Sequence, residues 1–192
     1  MRIEPGPRYP FFLRPFFWNQ QRKYGAVLDS ALVWARVPKL FLAVALLYAM
    51  IDRRKSPIPP VLRSLVTVRV SQLNGCRFCV DLNSATLSRR GVPDEKIGEL
   101  NRWRDSRSFT AKERAALDYA EQVTLAPQAI TDAQFAPLRT HFDEEAIIEL
   151  TALIAFQNLS SKFNSALGVP AQGFCRIPAV TRQTSESRSG PP

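Results

Sequence analysis

The chain has 192 residues, 45% of them hydrophobic and 22% charged, and carries a net charge of +9 at pH 7. That is enough for one well-buried core, and it excludes a wholly disordered chain. With only three cysteines, Cys76, Cys79 and Cys175, a disulfide-stapled secreted domain is excluded too, and the reducing cytoplasm is the expected compartment.

The positive charge is concentrated at the start. Residues 1–60 hold ten Lys/Arg against three Asp/Glu, and residues 61–192 hold sixteen against fourteen. MRIEPGPRYPFFLRPFF lacks an uninterrupted apolar run and a small-residue cleavage site, so no secretory signal is expected. Its arginines interleave with Tyr9, Phe11, Phe12, Phe16, Phe17 and Trp18. Such an arm can meet nucleic acid or an anionic membrane surface. Packing on the core or on a neighbouring subunit is preferred to both, so neither a nucleic acid nor a membrane is an expected partner.

Helical periodicity dominates the rest. Residues 21–35 space Tyr24, Val27, Leu28, Leu32 and Trp34 as one helix face would. Val37-Pro38 interrupts, and 39–52 reads as a second, more buried helix. Its apolar run, LFLAVALLYAMI, is too short for a membrane span, which needs ~20 residues. RRKSPIPP (53–60) is a proline-rich connector. VLRSLVTVRVSQL (61–73) follows as a helix whose valines would also suit a strand. Asn74-Gly75 ends it, and CRFCVDLNSATLSRR (76–90) starts another that stops at Gly91.

Thr110-x-x-Glu113 and Thr131-x-x-Gln134 are capping boxes opening two further helices. Residues 143–168 begin acidic, as the helix dipole prefers, and turn almost wholly apolar. Strand–helix alternation, a phosphate loop and internal repeats are all missing from the pattern. The expected fold class is all-α. Its expected divisions are a basic aromatic arm with helices (1–58), a helical core (59–175) and a disordered tail (176–192).

The chemistry centres on NGCRFCVDLN (74–83). A zinc site would need two more ligands beyond the Cys-x-x-Cys pair, and Cys175 and His141 are isolated. Two small residues at i and i+3 can also simply pack. The redox reading is favoured. A helix N-terminus stabilises a thiolate through its free N–H groups, and the three-residue spacing lets a second sulfur close a disulfide. Arg77 and Arg69 are expected to add positive potential there.

This stretch resembles the carboxymuconolactone decarboxylase superfamily, in particular its alkylhydroperoxidase D-like members. The similarity starts at LRSLVTVRVSQLNGCRFCVDLNSATLSRRGV, takes in FTAKERAALDYAEQVT and THFDEEAIIELTALIAFQNLSSKFNSALGV, and covers roughly residues 61–168. It implies an alkylhydroperoxidase D-like helical bundle assembled as a trimer, hexamer or dimer, whose aromatic arm wraps a neighbour. It also implies roles: Cys79 attacks a hydroperoxide and Cys76 resolves the product to a disulfide. The family's proton-relay glutamate falls at Ser64 and its histidine at Asn83. Neither replacement can act as a general base near neutral pH. The decarboxylase activity of the superfamily needs no dithiol and is disfavoured.

Asn158, Ser160, Ser161, Lys162 and Asn164, at the polar end of the last helix, are further candidates for the site. For Asn158, hydrogen bonding within the fold outranks polarising a substrate. His141 is expected to cap or pack, Cys175 to be a buried free thiol and Trp103 to be core or interface. Asp81, two residues from Cys79, is expected to serve the first-turn electrostatics of its helix. The expected function is a Cys-x-x-Cys peroxidase or thiol–disulfide oxidoreductase. It would take a hydroperoxide substrate and an external dithiol or protein reductant, with no metal or organic cofactor. The alternative is a non-enzymatic redox sensor or interaction module on the same scaffold.

Overall fold

Four valines and three leucines run through Pro60–Leu73, a composition that by itself suits a strand. This segment is nonetheless a helix (α4), because it lies in the middle of the molecule and must bury nearly its whole circumference. Leu62, Val66 and Val70 face one core cluster, and Leu65 and Val68 another. A helix satisfies its own backbone wherever it is buried. The structure is a computed structural model that describes residues 1–4, 6, 9–125, 129–178 and 180.

Around α4 the described residues form helices and no strand. They are α1 (Arg14–Tyr24), α2 (Asp29–Trp34), α3 (Pro38–Ile51), α5 (Arg77–Arg89), α6 (Asp94–Gly98), α7 (Ala111–Leu125), α8 (Asp132–Arg139) and α9 (Glu144–Ala166). The all-α expectation holds. Both capping boxes form. Thr110 and Glu113 exchange backbone and side-chain hydrogen bonds, and Thr131 does the same with Gln134. Asp143 caps α9 by accepting from the Ala146 N–H at 2.8 Å. No helix among the described residues is long and apolar enough to cross a membrane.

Two expectations are corrected. The single helix over 21–35 is two helices, α1 and α2. Gly25 ends α1 with φ +75°, a left-handed conformation that a side chain would strain, and the chain turns before Asp29. The helix over 39–52 exists, but it is not more buried than its neighbours. Only Phe41 is buried outright, while Leu46 is 63% and Met50 55% exposed.

The proline-rich connector is tied down rather than loose. Arg53 and Ser56 both bond Glu149 of α9, and Ile58 is buried in the first core cluster. Asp52, at the end of α3, takes Arg90 at 3.0 Å and Arg63 at 3.1 Å, which pins α3 to α4 and α5. On the far side, Glu121 of α7 gathers Arg69, Trp103 Nε1 and Arg104.

At the other end of the chain, Ile177 and Val180 pack in the second cluster, beyond the expected start of the tail at 176. Residues 181–192 lie outside the described residues. Residues 172–175 are held by Asp81, which is 3% exposed. Its carboxylate accepts the backbone N–H groups of Gln172, Gly173 and Cys175 at 2.7–2.9 Å. Gln172 in turn bonds the Val27 carbonyl and the Asp29 N–H, joining arm, α5 and C-terminal segment. Asp81 is therefore a clasp rather than a first-turn electrostatic residue. Asp81→Ala strands three N–H groups, so urea unfolding should show a loss of about 3 kcal/mol or more.

Candidate active site

Asn74 and Gly75 break α4, and Cys76 opens α5 as its N-cap, its Sγ accepting the Cys79 N–H at 3.2 Å. Cys79 sits one turn inside α5. Both thiols are buried and free, at 1% and 3% exposure. Cys79 borders a cavity of about 240 Å³, and Cys76 does not. The cysteine that the resemblance assigns to attack is thus the one that borders the cavity, with the assigned resolving cysteine hydrogen-bonded to it.

Burial pushes the Cys79 thiol up, but hydrogen bonds from Cys76, Asn164, Ser160 and Gln157 outweigh it and hold the thiol below its ordinary value. Cys76 moves strongly upward, because its hydrogen bond to Cys79 and its burial both favour the neutral thiol. The first proton lost from the pair therefore leaves Cys79. Cys76 keeps its own and donates it to the thiolate.

Apart from Cys76, the donors come from α9, which carries Gln157, Ser160, Ser161 and Asn164 on one stripe at i, i+3, i+4 and i+7. Asn164 Nδ2 donates to Cys79 Sγ at 3.3 Å. Its orientation is fixed from the arm. Ser30 Oγ of α2 donates to Asn164 Oδ1 at 2.7 Å, which leaves the amide N–H₂ facing the sulfur.

The two positions that depart from the relay do not rebuild one. Ser64 is buried, and its Oγ accepts from Arg90 at 2.7 Å. It does not border the cavity. Asn83 does, and its amide donates to Ser71 Oγ at 3.3 Å, an oxygen that also accepts from Gln157 at 2.9 Å. The network Asn83–Ser71–Gln157–Cys79 consists of neutral groups that hold hydrogen bonds but take up no proton near neutrality.

Several expectations fall elsewhere. Arg69 is turned to Glu121 at 2.6 Å, so it lends no potential to the thiols, and Arg77 does not line the cavity. Asn158 bridges Asn74 and Thr124, as a residue bracing the fold does. Cys175 is buried and free, its thiol pushed up by burial. His141 also stays off the cavity, and among the described residues no three His, Cys, Asp or Glu could hold a metal. Trp103 is buried.

Sequence reasoning missed Gln157 and Ser30, and it missed that the arm builds most of the cavity. Phe16, Tyr24, Trp34, Phe41 and Tyr48 are its aromatic wall, completed by Phe78 and Phe156. Trp34 stacks on Phe163 of α9 at 3.6 Å, and Phe16 meets Phe41 edge-on at 4.7 Å. Among the described residues Lys23 is the one charged side chain lining the cavity, and no acid lines it.

Comparison with known proteins gives a consistent picture. The sequence pattern of the Carboxymuconolactone decarboxylase family matches residues 38–122. YnjA of Escherichia coli strain K12, an uncharacterized protein, is 43% identical over 178 residues, covering 93% of this chain and 98% of that one. Among solved structures, an uncharacterized peroxidase-related protein of Ralstonia eutropha JMP134, described as an alkylhydroperoxidase AhpD core, is 25% identical with a TM-score of 0.82. It covers 90% of this chain and 93% of its own. A cysteine-to-alanine variant of the debrominase Bmp8, in complex with 2,3,4-tribromopyrrole, is 26% identical with a TM-score of 0.78, covering 97% of both chains.

Alkylation of Cys79 should follow its thiolate, rising with pH and reaching half its maximum below the ordinary thiol value. Asn164→Ala should move that midpoint upward, and Ser30→Ala should move it in the same direction by less. Iodoacetamide kinetics across pH on a Cys175→Ser background, with adducts at Cys79 and Cys76 resolved by peptide mass spectrometry, checks both.

Proposed function

The chain belongs to the carboxymuconolactone decarboxylase family, and from that premise we propose that it is a dithiol peroxidase acting on organic hydroperoxides. One observation carries this reading: the thiol held below its ordinary value, Cys79, is the one that meets the cavity, with Cys76 hydrogen-bonded to it from behind. The Cys79 thiolate attacks the terminal peroxide oxygen. The O–O bond breaks, Cys79 becomes a sulfenic acid, and the departing alkoxide takes a proton from water to leave as an alcohol. Cys76 then attacks the Cys79 sulfur. An S–S bond forms, the S–O bond breaks, and the hydroxyl leaves as water with the Cys76 proton. An external dithiol or protein reductant restores both thiols by exchange.

Neutral donors stabilise the thiolate but do not protonate the leaving oxygen. General acid–base assistance contributes ~10²–10⁴-fold, so this site should be slower than a relay-equipped peroxidase by a factor in that range. The aromatic lining favours hydroperoxides with an apolar body over hydrogen peroxide, because only the former gain from leaving water.

The same lining supports a second reading, the reductive removal of a halogen from an aromatic ring, since a debrominase shares the fold across nearly the whole chain. There the thiolate takes the halogen as a sulfenyl halide and the ring takes a proton. Cys76 then expels halide as the disulfide forms. A third, non-enzymatic reading keeps only the dithiol switch.

Stopped-flow loss of free thiol with cumene hydroperoxide, hydrogen peroxide and a bromopyrrole separates these readings. Turnover with dithiothreitol and cumene hydroperoxide, abolished in Cys79→Ser, is the expected result. Cys76→Ser should still consume one equivalent of hydroperoxide and stop at the sulfenic acid, detected by dimedone labelling. Thiol loss no faster than that of free cysteine with every substrate would overturn the enzyme readings and leave the switch.

A further inference from the structure

Helix α1 turns one face to the cavity. Phe16, Asn19, Gln20, Lys23 and Tyr24 recur at i, i+3, i+4, i+7 and i+8, and all five line it. Gln20 is 6% exposed, and its Oε1 accepts the Leu28 N–H at 3.1 Å, which leaves its amide N–H₂ to act as a donor. Lys23 lies one turn further along the same face. It is exposed, so the cavity reaches solvent beside it.

Positive charge gathers at that opening without a counter-charge. Lys23 Nζ lies 5.0 Å and Arg89 Cζ 5.3 Å from the ring centre of Tyr24. Helix α1 contains no acid. Among the described residues neither cation forms an ion pair. Cations elsewhere in the fold are treated differently: Arg63 and Arg90 meet Asp52, Arg69 meets Glu121 and Lys96 meets Glu113. Two like charges at one aromatic ring repel each other, and an anion placed between them and the cavity relieves that repulsion.

We propose that the cavity takes a small apolar acid, its carboxylate held by Lys23 and the Gln20 amide and its body among the aromatic rings. The further step, that such an acid presents a hydroperoxide to Cys79, rests on the peroxidase reading; the binding itself does not. Electrostatics sets the orientation. A carboxylate beside the Cys79 thiolate would be repelled, and one sunk among the rings would lose its hydration without replacement. At Lys23 it keeps part of its water and gains a charge-assisted hydrogen bond. Volume limits the body. An apolar cavity of about 150 Å³ accepts benzene, so one of about 240 Å³ suits a single ring with short substituents.

Two pairs of compounds that differ only in the charge test this. Isothermal titration calorimetry compares para-isopropylbenzoate with its neutral isostere para-isopropylbenzamide, and steady-state turnover compares para-carboxycumene hydroperoxide with cumene hydroperoxide. The wild type should favour the carboxylate by about fivefold in each pair, the scale of an exposed ion pair. Added salt should shrink that ratio. Lys23→Gln should bring it close to one, and Lys23→Glu should invert it. Arg139→Gln, on α8, which lends nothing to the cavity, separates the site from the general pull of a chain carrying +9. A wild-type ratio of one or less, a ratio unmoved by Lys23→Gln, or one that falls equally in Arg139→Gln would overturn the proposal. Carboxylate-selective binding with no turnover of either hydroperoxide would keep this site and overturn the peroxidase reading. Turnover of both hydroperoxides at equal efficiency, with no selectivity in binding, would do the reverse.

Discussion

A thiolate almost sealed from water has to be supplied with hydrogen-bond donors, and most of this molecule can be understood as the means of supplying them. Cys79 is 3% exposed, and a charge so buried is strongly disfavoured unless polar groups replace its lost hydration. The replacement is an unusual polar stripe on the longest helix. α9 is apolar where it meets α4 and α7, and it becomes polar over Gln157–Asn164, where α5 begins. Placing four donors around one sulfur requires α5 and α9 to meet at a fixed register. The Asp81 clasp, the Asn74–Asn158 bridge and the Ser30–Asn164 hydrogen bond all act on that register.

The arm changes meaning in this light. Its aromatics and charges invite thoughts of membranes or nucleic acid, but its helices pack on their own chain and form the cavity's roof. Phe17, Leu28 and Phe41 share a core cluster with both thiols. Ser30 orients an amide 134 residues away. The basic aromatic arm is therefore as much a part of the site as the Cys-x-x-Cys helix, and removing it would open the thiols to water and leave the Asn164 amide unheld.

Replacement of the relay positions is equally coherent. Ser64 has become a partner of Arg90 within the Asp52 ion-pair cluster, so that position now serves the junction of α3, α4 and α5. Asn83 has joined Ser71 and Gln157 in a neutral network reaching Cys79. A network of amides and hydroxyls can set where a thiolate forms, but it cannot carry a proton to a leaving group near neutral pH. In the proposed reaction, that division leaves nucleophilicity to the protein and protons to the solvent.

Local chemistry was legible in the sequence. Capping boxes at Thr110 and Thr131, the stop at Asn74-Gly75 and the acidic start of α9 each depend on residues within one turn of one another, so a linear reading finds them. The Cys-x-x-Cys spacing belongs to the same class, as does the all-helical period. The break at Gly25 escaped notice because the apolar spacing on either side of it continues as if one helix ran through.

What only the tertiary structure decided is which distant groups face Cys79. Gln157, Ser160 and Asn164 are ordinary polar residues of a long helix until packing turns them toward a sulfur some eighty positions away, and Ser30 matters only through Asn164. Nor can hydropathy say where an apolar helix is buried. LFLAVALLYAMI specifies that α3 must leave water, but only the arrangement of its neighbours shows that one face is covered within the chain and the other is not. Patterning fixes what a segment needs, and the geometry of all the other segments fixes what it gets.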